Sequence, residues 1–210
     1  MRILIRLLGV LMIIAAIMLF FWQDIREYFT DQVNEQIITA YQANDVEKEH
    51  VKLNPIETFV TGIEQDTEGI NIGEDMAGVL EIASADILEP VYLGPLTEEK
   101  MRNGVGFLEE TDNLDMQNIP IAGHRVEGAG IRFNYIDRAS VGDEIKFITR
   151  DETRVYEIKE IFEVDPSEVS VLDQTEGATQ ELTLITCEEY NPETLLFEKR
   201  LIVKAELVSA

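Results

Sequence analysis

Cys187, the only cysteine among the 210 residues, ends the strand-like run 182–187. A second strand-like run, 197–208, follows after a short polar stretch. If the two runs form a hairpin that turns at 193–194, position 187 pairs with position 200, and directly opposed Cβ atoms lie ~5 Å apart. The spacing therefore predicts that the thiol of Cys187 neighbours the guanidinium of Arg200.

This pairing suits attack on a carbonyl group. An adjacent guanidinium favours the thiolate form of cysteine and can donate hydrogen bonds to the carbonyl oxygen under attack. His124 adds a proton donor for an amine leaving group, since it follows Gly123 at the end of the apolar strand 119–122. A lone cysteine or a lone arginine is usually better explained as a buried structural thiol or a surface charge. The hypothesis of acyl transfer therefore depends on the whole set.

Strands must position these groups, because alternating apolar and polar residues dominate the chain after Ala77. In the run 154–164, this alternation assigns Tyr156, Ile158, Phe162 and Val164 to the core side. Seven strands are predicted, at 78–82, 90–92, 119–122, 144–149, 154–164, 181–186 and 197–208. The expected fold class is all-β, a closed barrel of seven to eight strands with one or two short helices.

One short helix is predicted at 97–103. Thr97 is suited to be its N-cap, acidic residues occupy its first turn, and Gly104 follows its last residue. The helix would cross over between two strands.

The N-terminus predicts a membrane anchor. Residues 3–22 are apolar apart from Arg6, and a helix of that length reaches ~30 Å, the thickness of the hydrocarbon core. Arg2 and Arg6 precede the uncharged part of this run, 7–22, and acids follow it, so the N-terminus is expected in the cytoplasm and the rest outside the cell. The run ends in bulky aromatic residues rather than a small-residue cleavage site, which favours a retained single-pass anchor over a cleaved signal peptide.

Three regions are expected: residues 1–22 as cytoplasmic N-terminus and anchor, 23–76 as extracellular stalk and linker, and 77–210 as catalytic domain. Within the stalk, apolar residues recur every fourth position from Ile25 to Tyr41, the spacing of one helical face. Whether this stripe packs on the membrane, on the following domain or on a partner is left open. The formal net charge of −24 argues against nucleic-acid binding.

The run Thr183-Leu184-Ile185-Thr186-Cys187 resembles the TLxTC signature of sortases, and Arg200 lies thirteen residues further on, as in class A members. The resemblance also includes Ala122-Gly123-His124 and the run 89–92, and it covers residues 77–208. The pattern is similar to that of the staphylococcal enzymes of that class.

What the resemblance implies is an eight-stranded barrel and a cysteine transpeptidase. Its substrates would be surface proteins with an LPxTG sorting signal, cleaved between Thr and Gly. Cys187 would form a thioacyl intermediate, Arg200 would stabilise the oxyanion, and His124 would transfer protons. An amine of the peptidoglycan precursor lipid II would accept the surface protein.

The resemblance also suggests a substrate groove, although any of its members could equally belong to the core. The matching positions are Ala122, Val171, Leu172, Thr183, Ile185 and Ile202. No metal ligand and no required cofactor are assigned.

Calcium activation is left open. Staphylococcal relatives bind calcium through acidic residues, of which Glu109 and Asp112 are present here, whereas Met116 and Gln174 replace the others. Losing two carboxylates should weaken a site that needs six to eight oxygen ligands. Glu110, Asp115 and Glu176 are the candidate substitutes.

Three alternatives compete with this interpretation. A pilin-type sortase is the nearest, but such enzymes usually carry an N-terminal lid motif and a C-terminal membrane segment. Papain-like proteases place the cysteine before the histidine, the reverse of the order here. A non-enzymatic, surface-anchored binding module would leave the joint occurrence of Cys187, His124 and Arg200 unexplained.

Overall fold

A computed structural model describes residues 2–43, 49–73, 75–125, 132–191, 193–194 and 196–210. Four α-helices lie at Arg2–Phe20 (α1), Trp22–Gln42 (α2), Pro55–Thr61 (α3) and Glu98–Asn103 (α4). The first five strands are His50–Val51 (β1), Ile70–Asn71 (β2), Met76–Ile82 (β3), Ile87–Tyr92 (β4) and Val105–Phe107 (β5). The last five are Asn118–Ala122 (β6), Glu144–Ile148 (β7), Thr153–Val164 (β8), Glu181–Asn191 (β9) and Leu196–Ser209 (β10).

Eight strands close into a barrel in the order β10-β8-β7-β3-β4-β5-β6-β9, while β1 and β2 form a separate two-stranded sheet. The predicted all-β barrel is confirmed, and each of the seven predicted strands is present. The prediction missed the two-residue strands β1 and β2, and it missed one barrel strand, β5, which has only three residues and pairs in parallel with β4. Its shortness left too little alternation to be recognised.

Alternate side chains of each strand point inward and fill the barrel. Ile119 and Ile121 of β6, Leu182 and Leu184 of β9, and Val203 of β10 all point into one buried apolar cluster. The residues between them lie on the outer face of the sheet. That outer face carries the functional side chains, whereas the inner face supplies the core.

The assignment of Phe162 and Val164 to the core side is wrong. Tyr156 and Ile158 do belong to the core, but the pairing of β8 with β10 shifts at Lys159. This β-bulge adds one residue and reverses the alternation beyond it. Ile161 then packs against the core, and Phe162 and Val164 pair with Ile202 and Arg200 on the outer face.

Helix α4 follows the prediction closely. The Thr97 side chain accepts a hydrogen bond from the backbone N–H of Lys100, and Gly104 caps the other end. The helix connects the parallel strands β4 and β5, which need a crossover because a hairpin cannot join parallel strands.

The apolar stripe of α2 packs on the domain that follows it. Val33, Ile37 and Tyr41 are buried in a second apolar cluster. The same cluster includes Val51, Leu53, Ile63, Ile70, Ile72 and Met76. The segment 42–76, expected as a linker, therefore contributes β1, α3, β2 and part of a core; its residues 44–48 and 74 lie outside the described residues. The boundary at residue 77 stays a prediction.

The apolar N-terminus forms α1, and α2 begins after a break at Phe21. In the part of the chain that the structure describes, no single helix is long and apolar enough to cross a membrane. Residues 5–20 and 22–42 meet the length and composition requirement as a pair bent by 63°.

Candidate active site

Cys187 and Arg200 are direct partners in the antiparallel ladder between β9 and β10. The predicted register is confirmed, and it places both side chains on the outer face of the barrel, because their neighbours Thr186 and Leu201 occupy the alternate positions. The thiol is half-buried, so it is not sealed in the interior. The guanidinium Nη1 donates hydrogen bonds to the carbonyls of Lys199 at 3.0 Å and Phe197 at 3.5 Å.

His124 emerges at the same end of the barrel as Cys187. Strands β6 and β9 are parallel, with Ala122 beside Ile185, and the Gly123 N–H extends the ladder to the Ile185 carbonyl at 3.1 Å. His124 and Cys187 each lie two residues beyond this last pair. The topology therefore brings three separate segments to one edge of the outer face.

Glycine is required at position 123 because the backbone passes close to its neighbours. A Cβ atom there would lie 2.6 Å from Cγ1 of Val105 and 2.9 Å from Cδ2 of Phe133. On the other side of His124, its carbonyl accepts a hydrogen bond from the Phe133 N–H at 3.1 Å. Packing and backbone hydrogen bonds thus fix the start of the segment that carries the imidazole.

Glu98 is a neighbour of His124 that the sequence did not indicate. Its Oε1 lies 3.7 Å from His124 Nε2 and 3.7 Å from Arg102 Nε, and Arg102 also pairs with Glu64. Glu98 and Arg102 are one turn apart on α4, which places both charges on the same side of the helix. The sequence pattern does not predict that α4 lies near position 124. The contact between Glu98 and His124 forms only in the tertiary fold.

The proposed groove positions lie on or beside the outer face next to Cys187. Ile185 of β9 pairs with Ile202 of β10, and Ala122 adjoins Ile185 from β6. The wall includes a 3₁₀ turn, Ser170–Leu172, in which Val171 is buried and Leu172 half-buried. The bulge in β8 adds Phe162 and Val164 to this wall, although strand alternation alone predicts that they lie in the core.

Asn118 ties the 3₁₀ turn to the barrel. Its side-chain amide donates to the Val171 carbonyl at 3.0 Å, and its side-chain oxygen accepts a hydrogen bond from the buried Thr183 hydroxyl at 2.6 Å. Thr183 is thus a structural support of this wall, with no exposed surface of its own. Of the predicted groove residues, Ala122, Leu172 and Ile185 retain partial exposure.

Three of the four residues at the positions that the resemblance links to calcium make contacts within the protein. The Asp112 carboxylate accepts the Glu109 N–H at 2.8 Å, and the Met116 thioether packs beside the core. Gln174 makes two hydrogen bonds to the backbone of Asn118, at 3.0 Å from its N–H and 2.8 Å to its carbonyl. Within the described residues, no group of three or more His, Cys, Asp or Glu side chains is arranged to hold a metal ion.

Comparison with known proteins agrees with this architecture. The sortase domain family matches residues 80–208. The chain is 38% identical to sortase A of Staphylococcus aureus over 198 residues, which cover 94% of this chain and 92% of that protein. It is 30% identical to sortase A of Streptococcus agalactiae, covering 96% of this chain and 83% of the relative.

Solved structures are similar as well. Sortase A of Listeria monocytogenes matches with a TM-score of 0.55 and 28% identity, over 64% of this chain and 88% of that one. A sortase D5 transpeptidase of Clostridium perfringens matches with a TM-score of 0.57 and 27% identity, over 85% and 99%. The family model matches most of the barrel, and the sortase A relatives match nearly the whole chain. The chain therefore belongs to the sortase family, and it is a sortase transpeptidase.

Proposed function

We propose that this sortase is a membrane-anchored enzyme of the sortase A type. It would cleave LPxTG-type sorting signals between Thr and Gly and transfer the surface protein to the amine of lipid II. One observation carries the proposal: Cys187 and Arg200 oppose each other on the outer face of the barrel, and His124 leaves the adjoining strand at the same end.

In the first half of the reaction, the Cys187 thiolate attacks the carbonyl carbon of the signal's Thr. A C–S bond forms, and the carbonyl oxygen gains negative charge, which the Arg200 guanidinium stabilises by donating hydrogen bonds. His124 then gives a proton to the Gly nitrogen as the C–N bond breaks. The products are a thioester on Cys187 and a free amine on the departing peptide.

The second half reverses these roles. The lipid II amine attacks the thioester carbonyl and loses a proton to His124, and the thiolate leaves as the new amide forms. Arg200 stabilises the second oxyanion from the same position. The enzyme returns to its initial protonation state, and no atom changes its oxidation state, so the two steps need no oxidant.

The apolar part of the signal would bind beside Cys187. Ile185 and Leu172 offer partly exposed apolar surface there, over the buried Ile202 and Val171, and Ala122 leaves space because its side chain is small. Apolar contacts of this kind hold a peptide without reacting with it, while the polar groups at the groove's end align the scissile bond. Specificity for Leu-Pro would then come from the groove and cleavage from the three catalytic groups.

The anchor would place the enzyme with its substrates. We assign the apolar run 3–22, which comprises most of α1 and its junction with α2, to the membrane, with Arg2 and Arg6 on the cytoplasmic side and the barrel outside the cell. Apart from its two arginines and Gly9, the helix consists of apolar residues, and its side chains from Leu7 to Phe20 are exposed. Such a surface is suited to lipid rather than water.

A transfer assay tests the proposal. The full chain in detergent micelles is mixed with an LPxTG peptide and a glycine-based amine, and both products are measured by mass spectrometry. Cys187→Ala should abolish transfer, and His124→Ala and Arg200→Ala should each reduce it by at least ~10²-fold. His50→Ala and Arg138→Ala, which remove the same side-chain types elsewhere, should retain activity. Full activity of Cys187→Ala would refute the mechanism, and transfer only to protein lysines would favour a pilin-type enzyme.

A further inference from the structure

Helix α3 exposes a narrow apolar face. Ile56 is 65% exposed and Phe59 is 77% exposed, and their spacing of three places them on the same side of the helix. The adjoining residues Val60 and Thr61 at the end of the helix are buried. Single exposed apolar residues are ordinary, but two on one short helix form the start of a patch.

Trp22 extends this patch to the membrane anchor. Its ring makes an edge-on contact with Phe59, with centroids 6.3 Å apart and planes at 68°. Trp22 is also the only tryptophan in the chain, and it directly follows the exposed Phe20 and Phe21 at the end of α1. We call Trp22, Ile56 and Phe59 the aromatic edge. It is continuous with the apolar surface of α1.

The aromatic edge is held firmly against the rest of the molecule. Arg26 of α2 donates to the Thr61 carbonyl at the end of α3, from Nε at 3.3 Å and from Nη2 at 3.1 Å. At the other end, Asn54 and Glu57 form a reciprocal capping box. Val33 and Ile37 pack α2 against the barrel. A surface that binds the aromatic edge would therefore also determine the position of the catalytic domain.

We infer that the aromatic edge lies in the interfacial region of the lipid bilayer that holds α1, and that it fixes the height and tilt of the barrel above the membrane. Tryptophan at the end of an apolar helix is typical of that region, and phenylalanine is typical of the apolar face of helices that lie in it. The contact must be apolar, since a chain with a net charge of −24 is repelled by anionic headgroups. This inference rests on the proposed anchoring of α1.

Site-directed spin labelling tests the inference. In a Cys187→Ala background, the full chain carries one nitroxide at Phe59→Cys, Ile56→Cys, Ile13→Cys or Val141→Cys, and each protein is reconstituted in phosphatidylcholine vesicles. Ile13 lies in α1, and Val141 is an exposed residue of similar apolar character outside the aromatic edge. Collision rates with oxygen and with a water-soluble nickel chelate report the immersion of each label.

We expect labels at 56 and 59 to collide with the nickel chelate several-fold less often than the label at 141, with the label at 13 protected most. Equal accessibility at 56, 59 and 141, with 13 still protected, would overturn the inference and leave the anchor intact. An accessible label at 13 would instead overturn the anchoring itself. Dipolar broadening at 59 that disappears on dilution with unlabelled protein would assign the patch to a second copy, which also contradicts the inference.

Discussion

Arg132 and Glu89 form an ion pair in which both side chains are buried, and the residue after Arg132, Phe133, donates its N–H to the His124 carbonyl. The Glu89 carboxylate also accepts the Arg132 backbone N–H at 2.6 Å, and the guanidinium donates to Asn34 of α2 at 3.4 Å and to the Arg102 carbonyl. One arginine thereby joins β4, α2, α4 and the chain that follows His124. Its φ of 37° is unusual for a residue with a side chain, which these contacts compensate.

Breaking this pair should destabilise the protein strongly. Glu89→Gln leaves the Arg132 charge buried without its partner, and we expect the free energy of unfolding to fall by roughly 3–5 kcal/mol. The double variant Glu89→Leu/Arg132→Met should be closer to the parent protein, because it removes both charges. Urea denaturation followed by circular dichroism measures these changes. As a control, Asp86→Asn removes the exposed partner of Arg138 and should cost less than about 1 kcal/mol. Equal stability of Glu89→Gln and Asp86→Asn would contradict this account.

We expect transfer activity to persist without calcium. Gln174 binds the Asn118 backbone through both ends of its amide, so protein hydrogen bonds fix the loop before β9. The peptide-transfer rate should be unchanged on adding either calcium or a chelator. Gln174→Ala should raise KM for the peptide several-fold, and calcium should not reverse the defect. Loss of parent activity in the chelator would show that a metal holds this loop after all.

Phe162 should contribute to peptide binding rather than to chemistry. The bulge at Lys159 places it beside Ile202 on the outer face. Removing its ring should cost about 1 kcal/mol of apolar contact, which corresponds to a rise in KM of about five-fold with little change in kcat. Steady-state kinetics of Phe162→Ala test this. Val208→Ala, an exposed apolar residue near the end of β10, is the matched control. An unchanged KM would remove Phe162 from the groove.

Asp31 should make stability depend on pH. Partial burial, followed by the negative charges of Glu89, Glu27, Glu35 and Asp86, raises the pKa of this carboxyl from 3.8 to about 6. A raised folded-state pKa gives stability that is fully present below pH 3.8 and lost as pH rises through about 6. Asp31→Asn should therefore increase Tm at pH 7 but not at pH 3.5. The effect should be small because the partly buried Asp31 still keeps a large solvent-accessible surface, and solvent screens the neighbouring charges. A Tm increase of the same size at both pH values would contradict this explanation.

The sequence was sufficient to predict features that depend on residues close together in the chain. Strand alternation and a short turn determine that Cys187 faces Arg200, and local capping rules determine that Thr97 begins α4. The rest depends on contacts between distant residues. A one-residue bulge at Lys159 moved Phe162 out of the core, and nothing in the alternation of β8 signalled it. The burial of Arg132 against Glu89 likewise depends on how α2 packs, which the stripe from Ile25 to Tyr41 left open.

The central claim is that Cys187 becomes covalently acylated with the help of Arg200 and His124. It is tested most directly by mixing the full chain with an LPxTG peptide in the absence of an amine acceptor, quenching in acid and measuring the intact and peptide masses. We predict a mass increase equal to the peptide up to its Thr, located on Cys187, and no such adduct in Arg200→Ala or His124→Ala on the same time scale. Cleavage of the peptide without any adduct on Cys187, or acylation at another residue, would contradict the account.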